Sequence, residues 1–189
     1  MPAIIIFTPV SCLSGKNALE EAPIITSATY QHTQFNGRSQ PVEVSAAKDD
    51  VPLFIVTYFR SEGDLEAGRG GSAEAPSEVG DYYARIERPG GNGYKPGKNI
   101  KIEYHIQKAF ISFIADPVQR FAYDGTPKEA AARTEPPVEL SAAYFDAAGF
   151  SGQALASPPV ERGRYRVVLV FPGSERYMGA SKEIDLRIE

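Results

Sequence analysis

The chain has 189 residues with 20 basic and 24 acidic side chains, a net charge of −4, and a single cysteine, Cys12. Without a basic face or tail, nucleic acid is not an expected partner, and one cysteine excludes an internal disulfide. Ten Tyr, ten Phe, 17 Gly, 15 Pro and no Trp point to half-buried strands joined by many turns.

In chain order, Ala3-Ile4-Ile5-Ile6-Phe7 is an apolar run far too short to span a bilayer. With Thr8-Pro9-Val10-Ser11-Cys12 behind it, it resembles the end of a bacterial lipoprotein signal. This makes Cys12 a candidate lipid anchor, although no basic residues precede the run and Pro9 departs from the usual Leu. Residues 1–23 therefore read as a leader and linker. Ile24 to Tyr30 is β-branched and predicts a first strand. Asn36-Gly37 is a turn signal, Val42 and Val44 alternate as a strand, and Lys48-Asp49-Asp50 is a polar turn. Val51 to Phe59 predicts a core strand, and Gly63 to Pro76, with Gly68, Gly70 and Gly71, predicts a flexible loop.

Beyond the loop the period becomes two. Tyr82, Ala84 and Ile86 alternate with Tyr83, Arg85 and Glu87, and Ile100, Ile102, Tyr104 and Ile106 with Lys101, Glu103 and His105. Such strands bury one face and wet the other. Gln107-Lys108-Ala109 is a short connection that leaves little hinge motion. Thr126 to Arg133 carries helix signals, Pro127 in the first turn and a run of Ala, yet its counterpart Arg38 to Val44 is strand-like, which favours a strand or at most one helical turn. Tyr165, Val167, Leu169 and Phe171, then Ile184, Leu186 and Ile188, complete the alternating pattern.

The second half repeats the first. Phe35-Asn36-Gly37 returns as Tyr123-Asp124-Gly125, and Tyr58-Phe59 as Tyr144-Phe145. Pro76-x-x-x-Gly80-x-Tyr82 returns as Pro159-x-x-x-Gly163-x-Tyr165, and Tyr94 as Tyr177. The markers keep their order while the offset falls from 88 to 83 residues, as loop deletions would produce. The expected organisation is a leader over 1–23, one β module over 24–107 and another over 108–189. The expected fold is all-β: two tandem small antiparallel domains, an immunoglobulin-like sandwich favoured. A β-grasp-like fold becomes the better choice if Pro127–Arg133 forms a helix.

These ordered markers resemble the YDG/MBG-type repeats of large bacterial surface proteins. In the second copy they are Ala122-Tyr123-Asp124-Gly125-Thr126-Pro127-Lys128, Ala143-Tyr144, Pro159 to Tyr165, and Arg176-Tyr177-Met178-Gly179. The first carries Phe35-Asn36-Gly37, Thr57-Tyr58, Pro76 to Tyr82, and Gly93-Tyr94-Lys95-Pro96-Gly97. Phe-Asn-Gly in place of Tyr-Asp-Gly, the long acidic-glycine loop and a count of two copies are departures. The resemblance implies non-catalytic extracellular modules of adhesins and secreted proteins, without catalytic residues. It implies a spacer, adhesion or assembly role at a bacterial surface, with an extracellular protein or glycan as partner and the membrane reached only through a lipid anchor.

The chemistry of the residues agrees. His32 and His105 have no counterpart in the second copy, and no His/Cys/Glu cluster has zinc-ligand spacing. Asp49-Asp50 lacks the pattern of a calcium loop, and no Gly-x-Ser-x-Gly elbow is present. Gly90 to Lys98 lacks the ending of a phosphate loop and reads as a hairpin. No catalytic residue, cofactor or metal is expected. Tyr83, Tyr94 and Tyr177 are the candidates for ligand contact, with Tyr30 beside them, and Tyr94 and Tyr177 read equally well as pegs beneath the last hairpin. The alternative function is a carbohydrate-binding accessory module presenting an exposed aromatic platform.

Overall fold

A computed structural model describes residues 25–46, 54–91, 94–147 and 152–189. The first copy runs β1 (Ile25–Thr26), β2 (Tyr30–Gln34), β3 (Ser45–Ala46), β4 (Ile55–Phe59), α1 (Glu62–Ala67), β5 (Gly80–Arg88) and β6 (Gly97–Gln107). The second runs β7 (Ser112–Ile114), β8 (Val118–Phe121), β9 (Arg133–Glu135), β10 (Ser141–Asp146), β11 (Gly163–Phe171) and β12 (Ala180–Ile188). Apart from α1, the two lists match strand for strand. Each copy has a four-stranded sheet, β2-β6-β5-β4 or β8-β12-β11-β10, and a two-stranded sheet, β1-β3 or β7-β9.

The period-two stripes face inward as expected. Tyr82, Ala84, Ile86, Ile102, Tyr104 and Ile106 form one buried cluster with Phe35, Val42 and Tyr58. Tyr144, Tyr165, Val167, Leu169, Ile184, Leu186 and Ile188 form another, with Phe113 of the small sheet packed on it. Each copy is thus an all-β sandwich of immunoglobulin-like type. The four-stranded sheets are mixed, however, and not purely antiparallel. The initial strand of each copy switches sheets: β1 and β7 pair antiparallel in the small sheet, while β2 and β8 pair parallel with the last strands β6 and β12. Alternation reports which face a residue takes and is blind to strand direction.

Most of the repeated markers take part in hydrogen bonds that fix turns and tie loops to the strands. In the aromatic-Asx-Gly turn, Asn36 Oδ1 and Asp124 Oδ1 each accept from the amide two residues on, at 2.9 Å. Gly37 and Gly125 follow at φ of 73° and 76°, which glycine adopts without a Cβ penalty. The hydroxyls of Tyr58 and Tyr144 reach across the core to accept from Val42 N and Ala130 N, at 3.1 and 3.2 Å. The carbonyls of Pro76 and Pro159 accept from Gln40 N and Lys128 N, both at 2.9 Å. Tyr82 and Tyr165 donate to the carbonyls of Glu78 and Glu161, four residues back, at 2.9 Å in both copies. This is the tyrosine corner of immunoglobulin-like sandwiches. It also explains the glycine two residues earlier, since a Cβ on Gly163 would meet the Tyr165 hydroxyl at 3.3 Å. Tyr165→Phe should cost about 1 kcal/mol, the net worth of one such bond, with the fold retained. Chemical denaturation checks this, and an unchanged midpoint would show that the bond contributes nothing.

Two segments depart from expectation. Thr126–Arg133 forms no helix: the Ala130 amide is held by Tyr144, and Ala131 is paired by its N–H and C=O with the Gln119 side-chain amide at 2.8 and 2.7 Å. The β-grasp alternative loses its basis. The predicted flexible loop holds α1 instead, capped by Ser61 Oγ on the Asp64 amide at 3.1 Å and closed by Gly68 at φ 64°. Past the helix, Ser72 exchanges two backbone bonds with Tyr58 at 2.8 and 2.9 Å, covering the outer edge of β4. Leu155 N does the same to the Tyr144 carbonyl of β10 at 2.8 Å.

Candidate functional site at the junction of the copies

The short connection is bonded to the body of the second copy. Ala109 donates to the Arg176 carbonyl at 3.0 Å and accepts from Met178 N at 2.9 Å. The partner is the hairpin between β11 and β12, whose tight turn is closed by Ser174 N on the Tyr177 carbonyl at 2.9 Å and by Ser174 Oγ under the amides of Arg176 and Tyr177. The turn aims two side chains at the first copy. The Arg176 guanidinium takes the Glu78 carboxylate with two bonds, Nε to Oε2 at 3.0 Å and Nη2 to Oε1 at 2.9 Å. This planar fork-to-carboxylate geometry fixes orientation as well as proximity, and the pairing raises the Arg176 pKa. The same guanidinium lies 5.4 Å from the Phe35 ring centroid, and Tyr177 meets Phe35 edge-on at 5.7 Å and 83°. Tyr177 thereby joins the core of the first copy from outside it.

An open cleft of about 620 Å³ lies beside this contact, lined by Tyr30, Asp81, His105, Lys108, Phe110 and Met178 among others. Phe110 is 65% exposed and Tyr30 52% exposed, unusual for such large rings. The parallel register of β2 and β6 sets His32 opposite His105 and brings Tyr30 over His105, with ring centroids 4.8 Å apart. Asp81 is opposite His105 on β5, and its carboxylate Oδ1 is 2.6 Å from Nδ1. The buried Nε2 has no hydrogen-bond partner among the described residues. In the second copy the same registers hold Val118, Arg187 and Arg164. Asp185 there is clamped by Arg187 at 2.8 Å and Arg164 at 3.0 Å, which hold its pKa below the ordinary carboxylate range. The aromatic-imidazole-carboxylate cluster therefore belongs to the first copy alone. It is an asymmetry the two-copy sequence pattern did not reveal, because strand register is needed to bring positions 30, 81 and 105 together.

The expected contact tyrosines separate. Tyr177 is the peg at the junction. Tyr94 is only 8% exposed and is bracketed by two backbone bonds between Gly91 and itself, at 3.1 and 2.9 Å. Little of its ring is open to a ligand. Tyr83 is half-buried on β5, with Lys101 Nζ 5.3 Å from its ring centroid and away from the cleft. Cys12 and Asp49-Asp50 lie outside the described residues. Among the described residues no group of three His, Cys, Asp or Glu is placed to hold a metal ion. No helix there is long and apolar enough to cross a membrane.

No family model and no curated protein matches the chain. Solved structures that resemble it loosely include Drosophila N-cadherin EC1-4, at 12% identity and a TM-score of 0.30, covering 90% of this chain and 51% of that one. Sidekick-1 immunoglobulin domains 1-4 overlap 89% of this chain and 49% of theirs, at 15% identity and 0.30. The insect immune protein hemolin overlaps 94% and 48%, at 14% identity and 0.34. The chain spans about half the length of these proteins, and likenesses this loose pass no function to it.

Proposed function

We propose that the chain is a non-catalytic tandem β-module protein of the bacterial cell surface or secretome, akin to YDG/MBG repeats, that acts as a spacer, adhesion or assembly element. The observation that carries this reading is the Arg176-Tyr177 hairpin seated on Phe35 and Glu78, a contact that sets the angle between two equivalent sandwiches. A protein built to hold two points apart needs such a fixed joint. An enzyme needs convergent polar groups, and the asymmetric cluster around His105 holds a single imidazole-carboxylate pair among the described residues. Spin labels placed on β4 and β10 should give one narrow distance distribution, and Arg176→Ala should broaden it without unfolding either sandwich. A broad distribution in the unaltered protein would sink the spacer reading. Anchoring through Cys12 belongs to the same proposal and is tested by labelled palmitate in the native cell.

The junction cleft supports a second reading, a carbohydrate-binding accessory module. Sugars stack their C–H faces on exposed rings and bridge their hydroxyls to carboxylates, and Tyr30, Phe110 and Asp81 offer both. This reading expects binding on a glycan array that Tyr30→Ala removes. A blank array with folded protein would count against it.

A further inference from the structure

The face that receives the hairpin in the first copy exists again in the second, uncovered. Phe35 is 7% exposed beneath Arg176 and Tyr177, whereas its counterpart Tyr123 is 41% exposed. The backbone behind each is tied alike: Phe35 N donates to the Gln107 carbonyl at 2.8 Å and Tyr123 N to the Glu189 carbonyl at 2.7 Å. Glu161 occupies the place of Glu78, and its carboxylate has no hydrogen bond or ion pair among the described residues. One neighbour differs. Where the first copy has Val79, the second has Arg162, whose guanidinium is 5.0 Å from the Tyr123 ring centroid.

We propose that Tyr123, Glu161 and Arg162 form a docking surface for the Glu175-Arg176-Tyr177 type of hairpin carried by a further module of this kind. The argument is continuity with the interface already formed, together with charge. The hairpin presents Glu175 and Arg176 in succession, and the open surface presents Glu161 and Arg162 in succession. An incoming arginine takes the Glu161 carboxylate as Arg176 takes Glu78, and the incoming tyrosine meets Tyr123 by its edge. Arg162, an exposed side chain, turns off the ring toward the incoming glutamate. Because the donor hairpin and the receiving face are different surfaces, the contact is head-to-tail and can repeat from one module to the next. The proposal rests on the reading of the pair as a fixed spacer.

The test is the full chain extended after Glu189 by a second copy of residues 108–189, with spin-label pairs across each junction. Both junctions should give narrow distance distributions. Glu161→Ala should cost the second its narrow peak and leave the first unchanged, and Glu78→Ala should do the reverse. A narrow first junction with a broad second one overturns this proposal alone; two broad junctions overturn the spacer reading with it. Should the appended copy fail to fold, a cyclic peptide of residues 171–180 is titrated into the isotope-labelled natural chain. Amide shifts at Tyr123 and Glu161 that vanish in Glu161→Ala support the site, and their absence at millimolar peptide overturns it.

Discussion

Leu186→Ala is expected to lower the unfolding free energy of the second sandwich by about 3 kcal/mol, within the usual range for a buried leucine truncated to alanine. Leu186 is fully buried on β12, a strand with neighbours on both sides, opposite Tyr165 of β11 and Gln119 of β8. Strands at both flanks keep the wall from collapsing into the void, so the cavity penalty is added to the lost transfer energy. A domain of about 80 residues holds only a few kcal/mol of net stability, so this one change removes a large share of it. Ile102→Ala is the matched change in the first sandwich, on β6 between β2 and β5. Guanidinium titration followed by amide signals of each copy reads both effects. A loss shared equally by both sandwiches, whichever is altered, would mean they unfold as one cooperative unit.

The second large effect crosses the junction. Tyr177→Ala should cost about 2 kcal/mol, less than a fully buried aromatic because part of the ring is exposed, and the loss should fall on the first copy. Tyr177 is covalently part of the second sandwich, but its ring packs on the core of the first through Phe35. Tyr177→Phe keeps the ring and should leave stability near its starting value, since no hydrogen bond of the hydroxyl is seen among the described residues. Calorimetry of the full chain measures this as a lowered transition for the first copy. A loss confined to the second copy would show that the ring serves only its own hairpin.

Local and periodic chemistry is legible in the sequence. Tyr82 to Ile86, Ile100 to Ile106 and Ile184 to Ile188 could be assigned to inward faces because side chains along a regular strand alternate. Several repeat markers could be found because they hold places where few residue types serve, as the Asx side chains of the turns and the Tyr82 and Tyr165 hydroxyls do. What escaped needs a third dimension. Gln31 and Gln119 occupy equivalent places and each bonds both backbone groups of a facing residue, Glu43 or Ala131. Both lie in plain polar positions, and nothing nearby in the chain marks them. Helix α1 was hidden because its glycines read as flexibility, although Ser61 and Gly68 stand at its two caps. The pairing of Arg176 with Glu78 spans 98 positions, which no local pattern reports. Tyr94 and Tyr177 align in sequence yet differ in surroundings, so alignment alone could not separate a buried ring from an inter-sandwich peg.

The parallel partnership of first and last strands has a mechanical consequence. In each sandwich the chain enters at one end of that strand pair and leaves at the other, as Tyr30 opposite Glu103 and Gln34 opposite Gln107 show. Tension applied to the two termini therefore drags these strands past each other along their length. The bonds from Glu103 to Thr29 and from Phe35 to Gln107 carry that load together, as do those from Asp185 to Pro117 and from Tyr123 to Glu189. Bonds loaded side by side in shear must yield at once, while bonds peeled from one end yield singly. Each sandwich is thus strongest along the line in which its neighbours would pull.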